Sequence, residues 1–362
     1  MTDRPLPCEF QVRHRRCETS RIAGPVAQAQ VPRTEETRDR RYRSRRDPWV
    51  FIYLVPALLV IGIITLYPLL FQVYMSFTDY GIRNIRNGAP APDFVGIKNY
   101  TDILSSGLAI PNFDFVRLIP TNVVWAFTNV VIHVVLGVAI ALLLNTKGFW
   151  FKRFYRALYI IPVVIPQIII ATVWRNMYDA EAGAINLILS GLAGFLGVNA
   201  EVLRIDWLRQ VEDPISFIPL PLAFFAMLFA NTWLGWPLNA VVATGALQSI
   251  PHELNEAAEM DGAGSWQRFR NVTFVYLRPA MIPFAMYSFV VTFNLFFLSY
   301  FMTEGGPFGR TELLVTQAFR LVNEQRLYGV GAAFAVIMFF ILFAITLATN
   351  RTARATASVD EL

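Results

Sequence analysis

The chain has 362 residues, of which 55% are hydrophobic and only 16% are charged, and its mean hydropathy is +0.45. A soluble domain carries about 25% charged residues, so this composition excludes an ordinary soluble domain and indicates a membrane protein. The net charge of +5 is unevenly distributed, because twelve of the 31 basic residues precede Trp49.

The basic N-terminal segment, residues 1–48, contains no pattern of a folded domain. We expect a disordered, Arg-rich cytoplasmic leader held near anionic lipid heads, and no nucleic-acid binding. The only cysteines of the chain, Cys8 and Cys17, lie in it with His14 between them. They lack a fourth ligand and a folded frame, so neither a metal site nor a disulfide framework is predicted. The apolar run that follows is about 25 residues long, which is typical of a retained span and not of a removed signal peptide.

Six runs are long and apolar enough to cross a bilayer, which needs roughly 20 residues at about 1.5 Å per residue. They predict an all-α membrane protein with a transmembrane domain at 49–350 and a short cytoplasmic tail at 351–362. Prolines inside several runs are tolerated where neighbouring helices or water satisfy the freed carbonyls. The predicted spans are 50–76, 121–145, 155–177, 217–247, 279–301 and 329–350.

The basic residues between these runs predict the orientation of the chain. With both termini inside, 21 Lys and Arg lie on the cytoplasmic side and ten on the outer side, as the positive-inside rule requires. The segments 78–120, 178–216 and 302–328 then face outward. The polar loop at 249–278 faces the cytoplasm.

This cytoplasmic loop has the pattern of two short amphipathic helices beneath the membrane. Ser249 and Pro251 favour a helix start, and the turn at 261–264 favours an end before a second helix from Ser265. On pattern alone, a docking element and an ordinary polar loop are equally good interpretations. The first helix places apolar residues on one face and glutamates on the other: Leu254, Ala257 and Ala258 against Glu253, Glu256 and Glu259.

The same loop carries a family resemblance. Glu256-Ala257-Ala258, Asp261-Gly262-Ala263 and Trp266-Gln267-Arg268-Phe269 resemble the signature of permease subunits of ABC importers. Roughly residues 50–350 are covered, and the similarity is greatest to the carbohydrate-uptake branch and its larger maltose and maltodextrin permeases. Matching motifs elsewhere are Phe94 to Tyr100, Tyr159 to Pro162, Trp233 to Pro237, Leu247 to Pro251 and Glu304 to Pro307. One departure is Phe274-Val275, where the family usually has Leu-Pro, and it puts a kink before the fifth span in doubt.

The resemblance implies a type I importer permease fold in a bacterial or archaeal cell membrane. It implies that Glu256, Ala257, Ala258, Asp261, Gly262 and Ala263 form a coupling loop docked in a cytoplasmic ATPase. The implied partners are a homologous second permease, two ATPase subunits and an external solute-binding protein on 302–328. The chain lacks a phosphate-binding loop, so ATP and Mg²⁺ are expected on the ATPase partners and no cofactor on this non-catalytic chain.

Polar residues inside the spans are candidates for a substrate path. Ser288, Thr292 and Asn294 stand among phenylalanines in the fifth span, and Asn231, Gly235 and Trp236 lie in the fourth. Hydroxyl and amide groups beside aromatic rings suit a sugar, although interhelical hydrogen bonding is a common alternative use. Similarity to the maltose permease implies substrate contact at Leu234, Gly235, Leu238, Ser288 and Thr292. Leu238, Val291 and Leu295 replace more polar or aromatic residues, so a maltose-type pocket is only partly retained.

Two functions from other classes compete with an importer subunit. A stand-alone secondary transporter would use His133 as a proton relay, but this histidine has no acidic partner in a neighbouring span and is more often a packed residue. A membrane-embedded enzyme would need clustered catalytic groups at one bilayer face, and the sequence predicts none.

Overall fold

The computed structural model describes residues 48–354, apart from 112, 147, 149, 198, 200–203 and 216–217. The predicted leader, including Cys8 and Cys17, and residues 355–362 of the predicted tail lie outside the described residues. The described residues up to Val60 form one unit, and those from Ile61 onward form a second. The contacts and sites discussed below all lie in the second unit.

The described chain is helical apart from turns and one isolated bridge between Thr78 and Phe94. π-helical turns at Gly62–Leu66, Phe269–Thr273 and Leu298–Thr303 continue neighbouring helices, and a 3₁₀ turn occupies Ile82–Asn84. The α-helices are α1 (Pro48–Ile61), α2 (Tyr67–Met75), α3 (Lys98–Leu104), α4 (Phe115–Asn145), α5 (Lys152–Val164), α6 (Gln167–Met177), α7 (Ala184–Phe195), α8 (Leu222–Gln248), α9 (His252–Met260), α10 (Ser265–Arg268), α11 (Phe274–Phe293), α12 (Leu314–Asn323) and α13 (Tyr328–Arg354).

Local chemistry sets the ends of the two central helices. α4 begins after Asp114, whose Oδ1 accepts the backbone N–H of Arg117 at 3.1 Å and so caps the first turn. α8 follows Pro221 and ends at Ser249, whose hydroxyl donates back to the carbonyl of Ala246 at 2.8 Å. Ser249 therefore closes α8, and the expected helix start falls at His252, after Pro251.

α4 and α8 form the centre of the bundle and approach each other closely. At Gly137 an added Cβ would lie 2.6 Å from Cβ of Asn239 and 2.9 Å from the backbone nitrogen of Ala240. Only glycine permits that approach. α11 packs against both helices, and buried residues of α6, α8 and the turn after α11 form one apolar cluster around Trp125, Trp174 and Phe224.

Within the described residues, four helical stretches are long and apolar enough to cross a membrane: Ile52–Met75, Phe115–Asn145, Ser265–Thr303 and Tyr328–Arg351. A fifth is counted if α5 and α6, which meet at 96°, form one broken span. The break follows from Pro166, because the residue before a proline is driven into an extended conformation and Ile165 adopts φ −76°, ψ 132°.

The fourth predicted span, α8, is long enough at 27 residues but is not among these stretches. Asn231, Asn239 and Thr244 are buried within it and lower its mean hydropathy. The exact count of six spans therefore stays a prediction. The helical membrane architecture is confirmed.

The polar loop differs from the expectation of two separate short helices. α9 is separate, as predicted, but α10 runs through the π turn Phe269–Thr273 directly into α11, so one helical stretch extends from Ser265 to Thr303. Phe274 and Val275 retain backbone N–H groups that a Leu-Pro pair would not both supply. No proline therefore interrupts the helix at this point, although Pro279 and Pro283 lie further along α11.

Candidate functional site

A cavity of about 160 Å³ lies where α8 and α11 face the break between α5 and α6. Its wall carries hydroxyl, amide and imidazole groups and the rings of Phe284 and Tyr287, and no Asp, Glu, Lys or Arg of the described residues lines it. Such a wall suits an uncharged ligand with hydrogen-bonding groups and apolar faces.

Five of the six residues predicted for a substrate path line this one cavity: Leu234, Gly235, Leu238, Ser288 and Thr292. The sixth, Asn294, lies outside it. Asn294 follows the last residue of α11, is exposed, and donates from Nδ2 to the carbonyl of Val290 at 2.9 Å. The structure therefore gives Asn294 a role at the end of a helix.

A seam of buried hydrogen bonds between α4 and α8 forms one side of the cavity. Nδ2 of Asn231 donates to Oδ1 of Asn129 at 2.7 Å, and Nε2 of His133 lies 3.0 Å from the carbonyl oxygen of Asn231. His133 is 2% exposed. These surroundings support His133 as a packed, hydrogen-bonded residue and not as a proton relay, because its bond to the Asn231 carbonyl holds the ring in place.

Position 235 requires glycine because of the same histidine, His133. A Cβ at Gly235 would overlap the imidazole ring of His133, well inside van der Waals contact. The ring of His133 therefore occupies the space that any side chain at position 235 would need.

Two further lining residues, Gln167 and Asn239, were not predicted. Gln167 is the first residue of α6 and reaches the wall only because of the break at Pro166. Asn239 completes a stripe of Asn231, Gly235 and Asn239 at four-residue spacing, a signal that the sequence did offer. Its Nδ2 donates to the carbonyl of Gly235 at 3.1 Å, whereas its Oδ1 accepts no hydrogen bond from any described residue.

The predicted coupling loop forms an exposed projection. α9 contains no buried residue, and Met260 and Trp266 are 89% and 71% exposed. Gly262 adopts φ +76°, and the N–H of Ala263 donates to the carbonyl of Ala258 at 2.9 Å, which closes the turn after α9. Of the six predicted residues, Glu256, Ala257, Asp261 and Gly262 are exposed, and Ala258 and Ala263 are partly buried.

A histidine–carboxylate contact and an ion pair link residues of this projection. Glu256 pairs with His252 at 3.0 Å within α9, and Glu259 pairs with Arg268 of α10 at 3.0 Å. Exposed pairs of this kind contribute little stability. They leave Met260 and Trp266 as the apolar tip of a polar surface.

Arg320 organises the segment 302–328, which is predicted to face outward. Its Nε donates to Glu312 at 3.1 Å and one terminal nitrogen donates to the carbonyl of Glu304 at 3.0 Å. Gly305 has φ +76°, and a Cβ there would overlap the buried carboxylate of Glu312. The Glu304 to Pro307 motif therefore needs glycine at 305 to let the loop approach Glu312.

No group of three or more His, Cys, Asp or Glu residues that could hold a metal ion occurs in the described part of the chain.

Comparison with known proteins identifies the family. Residues 133–355, more than half of the chain, match the model of the binding-protein-dependent transport system inner membrane component. The chain is 30% identical over 304 residues to the maltodextrin transport system permease protein MdxF of Bacillus subtilis, covering 82% of this chain and 67% of that protein. It is 30% identical over 306 residues to the trehalose/maltose transport system permease protein MalF of Thermococcus litoralis, covering 84% of this chain and 93% of that protein.

Other similar proteins extend the range of sugars and support the fold. The galactooligosaccharides transport system permease protein GanP of Bacillus subtilis is 27% identical over 309 residues, covering 83% of this chain and 69% of that protein. Among solved structures, a chain of a bacterial ABC transporter involved in the import of the acidic polysaccharide alginate matches with a TM-score of 0.66 at 17% identity, over 86% of this chain and 96% of that one. At that identity the likeness shows the fold alone. The chain therefore belongs to the family of integral inner-membrane permease components of binding-protein-dependent transport systems, and it has the ABC importer permease fold.

Proposed function

We propose that this chain is a permease subunit of an ABC importer that carries a neutral oligosaccharide of the maltodextrin type or a related one. The observation that carries the proposal is the cavity between α8, α11 and the α5–α6 break, whose wall, among the described residues, has hydrogen-bonding groups and aromatic rings but no Asp, Glu, Lys or Arg. Its five predicted lining residues are expected to contact the sugar. The names of the similar permeases, which specify maltodextrin, galactooligosaccharides and trehalose or maltose, agree with that ligand class.

The proposed assembly contains a second homologous permease, two ATPase subunits that bind ATP and Mg²⁺, and an external solute-binding protein. One solved relative is a bacterial alginate ABC transporter in complex with an alginate pentasaccharide-bound periplasmic protein. In this chain α9 and the turn 261–264 are expected to dock in the ATPase, since α9 buries no side chain and Met260 at its end and Trp266 of α10 are exposed. ATP hydrolysis would then lie on the partners and not on this chain.

The test is sugar-stimulated ATP hydrolysis by the assembled transporter. Glu256→Lys reverses a charge on the docking face, and Gly262→Trp adds bulk and backbone strain at the turn, so each should leave membrane insertion intact and abolish stimulation. Gly88→Trp is the matched control, because Gly88 also has φ +78° in open space but lies in the segment predicted to face outward. Normal stimulation in both loop variants would count against the docking role.

The second candidate function is a stand-alone secondary transporter, favoured only by His133 in the bundle. It predicts uptake that survives ATP depletion and collapses with the ion gradient. Reconstitution of this chain alone in proteoliposomes, with an imposed proton or sodium gradient and labelled maltotriose, decides between the two. We expect no uptake without the ATPase subunits.

A further inference from the structure

A second and more polar crevice, of about 480 Å³, lies beyond the other end of α6 from the cavity. Three segments wall it: the end of α6 with the turn after it, residues 206–211, and residues 302–308. The positive-inside orientation puts this crevice on the outer side of the membrane.

Hydrogen bonds hold the crevice wall at 206–211 in place. Asn186 of α7 donates from Nδ2 to the carbonyl of Ile205 at 2.8 Å and accepts from Nε1 of Trp207 at 2.9 Å. Arg310 donates to the carbonyl of Val211 at 3.0 Å and to Oδ1 of Asp213 at 2.5 Å. Because these bonds connect residues 205–213 to both α7 and Arg310, the crevice wall is held in place by the fold.

Two exposed polar side chains of the crevice make no hydrogen bond to a described residue, although Arg209 attracts the Asp179 carboxylate electrostatically. Among the described residues, the Asn176 amide and the Arg209 guanidinium make no side-chain hydrogen bond or ion pair, and both residues are exposed. The backbone N–H groups of Ala182 and Glu181 donate to Asp179 at 2.8 and 2.9 Å and hold the pKa of its carboxyl below the usual range. The crevice thus offers an amide, a guanidinium and a persistent carboxylate.

An aromatic ring completes the set. Phe308 lines the crevice and is 67% exposed, although it is a large apolar side chain. A pyranose has hydroxyl groups that donate and accept and a ring face that packs on an aromatic ring. The crevice volume of about 480 Å³ falls within the range of about 300 to 1,000 Å³ for small-molecule sites, whereas the cavity of about 160 Å³ is below it.

The cavity and the crevice lie at opposite ends of α6. Gln167 lines the cavity and Arg175 lines the crevice, and eight residues of the same helix place them about 12 Å apart. Trp174, Leu298 and Met302 belong to the buried apolar cluster beside both sites and are 8%, 1% and 1% exposed. In this conformation the crevice, at about 480 Å³, is larger than the cavity, at about 160 Å³.

We propose that the crevice is an outer saccharide-binding site, in which Asn176, Asp179 and Arg209 hydrogen-bond the hydroxyls and Phe308 packs on a sugar ring. It would hold the sugar after release from the binding protein and before entry to the cavity. This inference rests on the proposed function and adds a second site to it.

The test uses the full complex of both permeases and both ATPases, purified without the binding protein. Equilibrium binding of labelled maltotriose, trehalose and β-galactotriose is measured, together with ATPase stimulation by binding protein loaded with the same sugar. Arg209→Ala and Phe308→Ala should each weaken binding of the stimulating sugar about tenfold, because each removes one specific contact. Arg86→Ala is the matched control, since Arg86 is an exposed arginine of another outer segment and should bind sugar as the wild type does.

Affinity of the complex for the empty binding protein is measured in the same variants. An unchanged value beside weakened sugar binding supports the outer site. Unchanged sugar binding in both crevice variants overturns the outer-site proposal. If the variants lose only affinity for the binding protein, the proposal is also overturned and the crevice is a protein-docking surface. The proposed function fails separately, when none of the three sugars stimulates ATP hydrolysis by the wild-type complex.

Discussion

The pairing of Gly235 with His133 shows how one residue of the cavity wall depends on another. Glycine inside a helix usually costs about 1 kcal/mol relative to alanine. At position 235 the sign is reversed, because the added methyl group would overlap the imidazole of His133. The glycine is therefore required by packing across the α4–α8 interface and not by the backbone conformation of α8.

We expect Gly235→Ala to destabilise the protein by about 1–3 kcal/mol, the usual cost of overpacking. Adding His133→Ala should recover much of that loss, because the double variant removes the ring that the methyl group strikes. Gly245→Ala, in the same helix with nothing within 4 Å of the added Cβ, is the control and should be neutral or stabilising. Thermal unfolding in detergent measures all three, and equal stability of Gly235→Ala and Gly245→Ala would contradict the packing argument.

Asn122 connects three helices through two hydrogen bonds. Its Nδ2 donates to the carbonyl of Phe293 at 3.2 Å, and its Oδ1 accepts the N–H of Leu314 at 3.0 Å. Asn122→Ala should cost about 1–3 kcal/mol for each buried group left unpaired. Asn323→Ala is the comparison, since Asn323 is exposed and bonds only to its own helix. A melting temperature for Asn122→Ala that matches Asn323→Ala would show that these bonds contribute little.

At the scale of elements, α9 and α12 are short helices with opposite surroundings. α9 buries no side chain, whereas α12 buries Leu314, Thr316, Gln317 and Leu321. Local opening is easiest where few contacts must break, so the amides of α9 should exchange with deuterium faster than those of α12 in nanodiscs. Adding the ATPase subunits should slow exchange in 252–260 and leave 314–323 unchanged. Equal exchange in α9 with and without the ATPase would argue against docking there.

The helices were predictable where the sequence has a long apolar run. The run at 121–145 predicted α4, and the structure extends the helix back to Phe115, after the capping residue Asp114, which the apolar pattern did not include. The break at Pro166 was not predicted, because prolines are common in membrane helices and a single one does not reveal a 96° turn. Two separate loop helices were predicted, although Phe274-Val275 in place of Leu-Pro already put the kink between the second helix and the fifth span in doubt. The structure has α10 continue into α11.

The cavity was predictable in part for a related reason. Ser288 and Thr292 share a face of one helix at four-residue spacing, and the structure brings both to the cavity with Leu234 and Gly235. Gln167 depends on the unpredicted break, so no periodicity within one run could place it there. Asn294 was predicted to line the substrate path because of its neighbours. In the structure α11 ends at Phe293, and the Asn294 side chain bonds back to the carbonyl of Val290.

At the scale of the whole molecule, the predicted orientation can be measured with single cysteines. Cys8 and Cys17 are the only cysteines of the chain, so Cys8→Ser and Cys17→Ser give a cysteine-free background. Met260→Cys and Phe308→Cys then report the two predicted sides, because these side chains are 89% and 67% exposed. A membrane-impermeant maleimide should label Phe308→Cys in right-side-out vesicles and Met260→Cys only in inside-out vesicles. The reverse pattern would place α9 outside and exclude coupling to a cytoplasmic ATPase.

The leader should be dispensable for transport itself. Deletion of residues 1–45 removes most of the basic excess at the N-terminus, but the loops at 146–156 and 268–278 keep basic residues on the predicted inner side. We expect sugar uptake by the assembled transporter to persist in this variant. Loss of uptake with normal membrane levels would give the leader a function beyond topology.

The asparagines of α8 have a consequence for biogenesis. A segment with amides at 231 and 239 partitions less readily from the translocon into lipid than its length suggests, because an unpartnered amide is costly in hydrocarbon. α4 is synthesised about eighty residues earlier and presents Asn129, whose Oδ1 accepts from Asn231. We therefore expect α8 to leave the translocon while packed against α4. Replacing Asn129 of α4 with leucine should then impair the membrane insertion of α8.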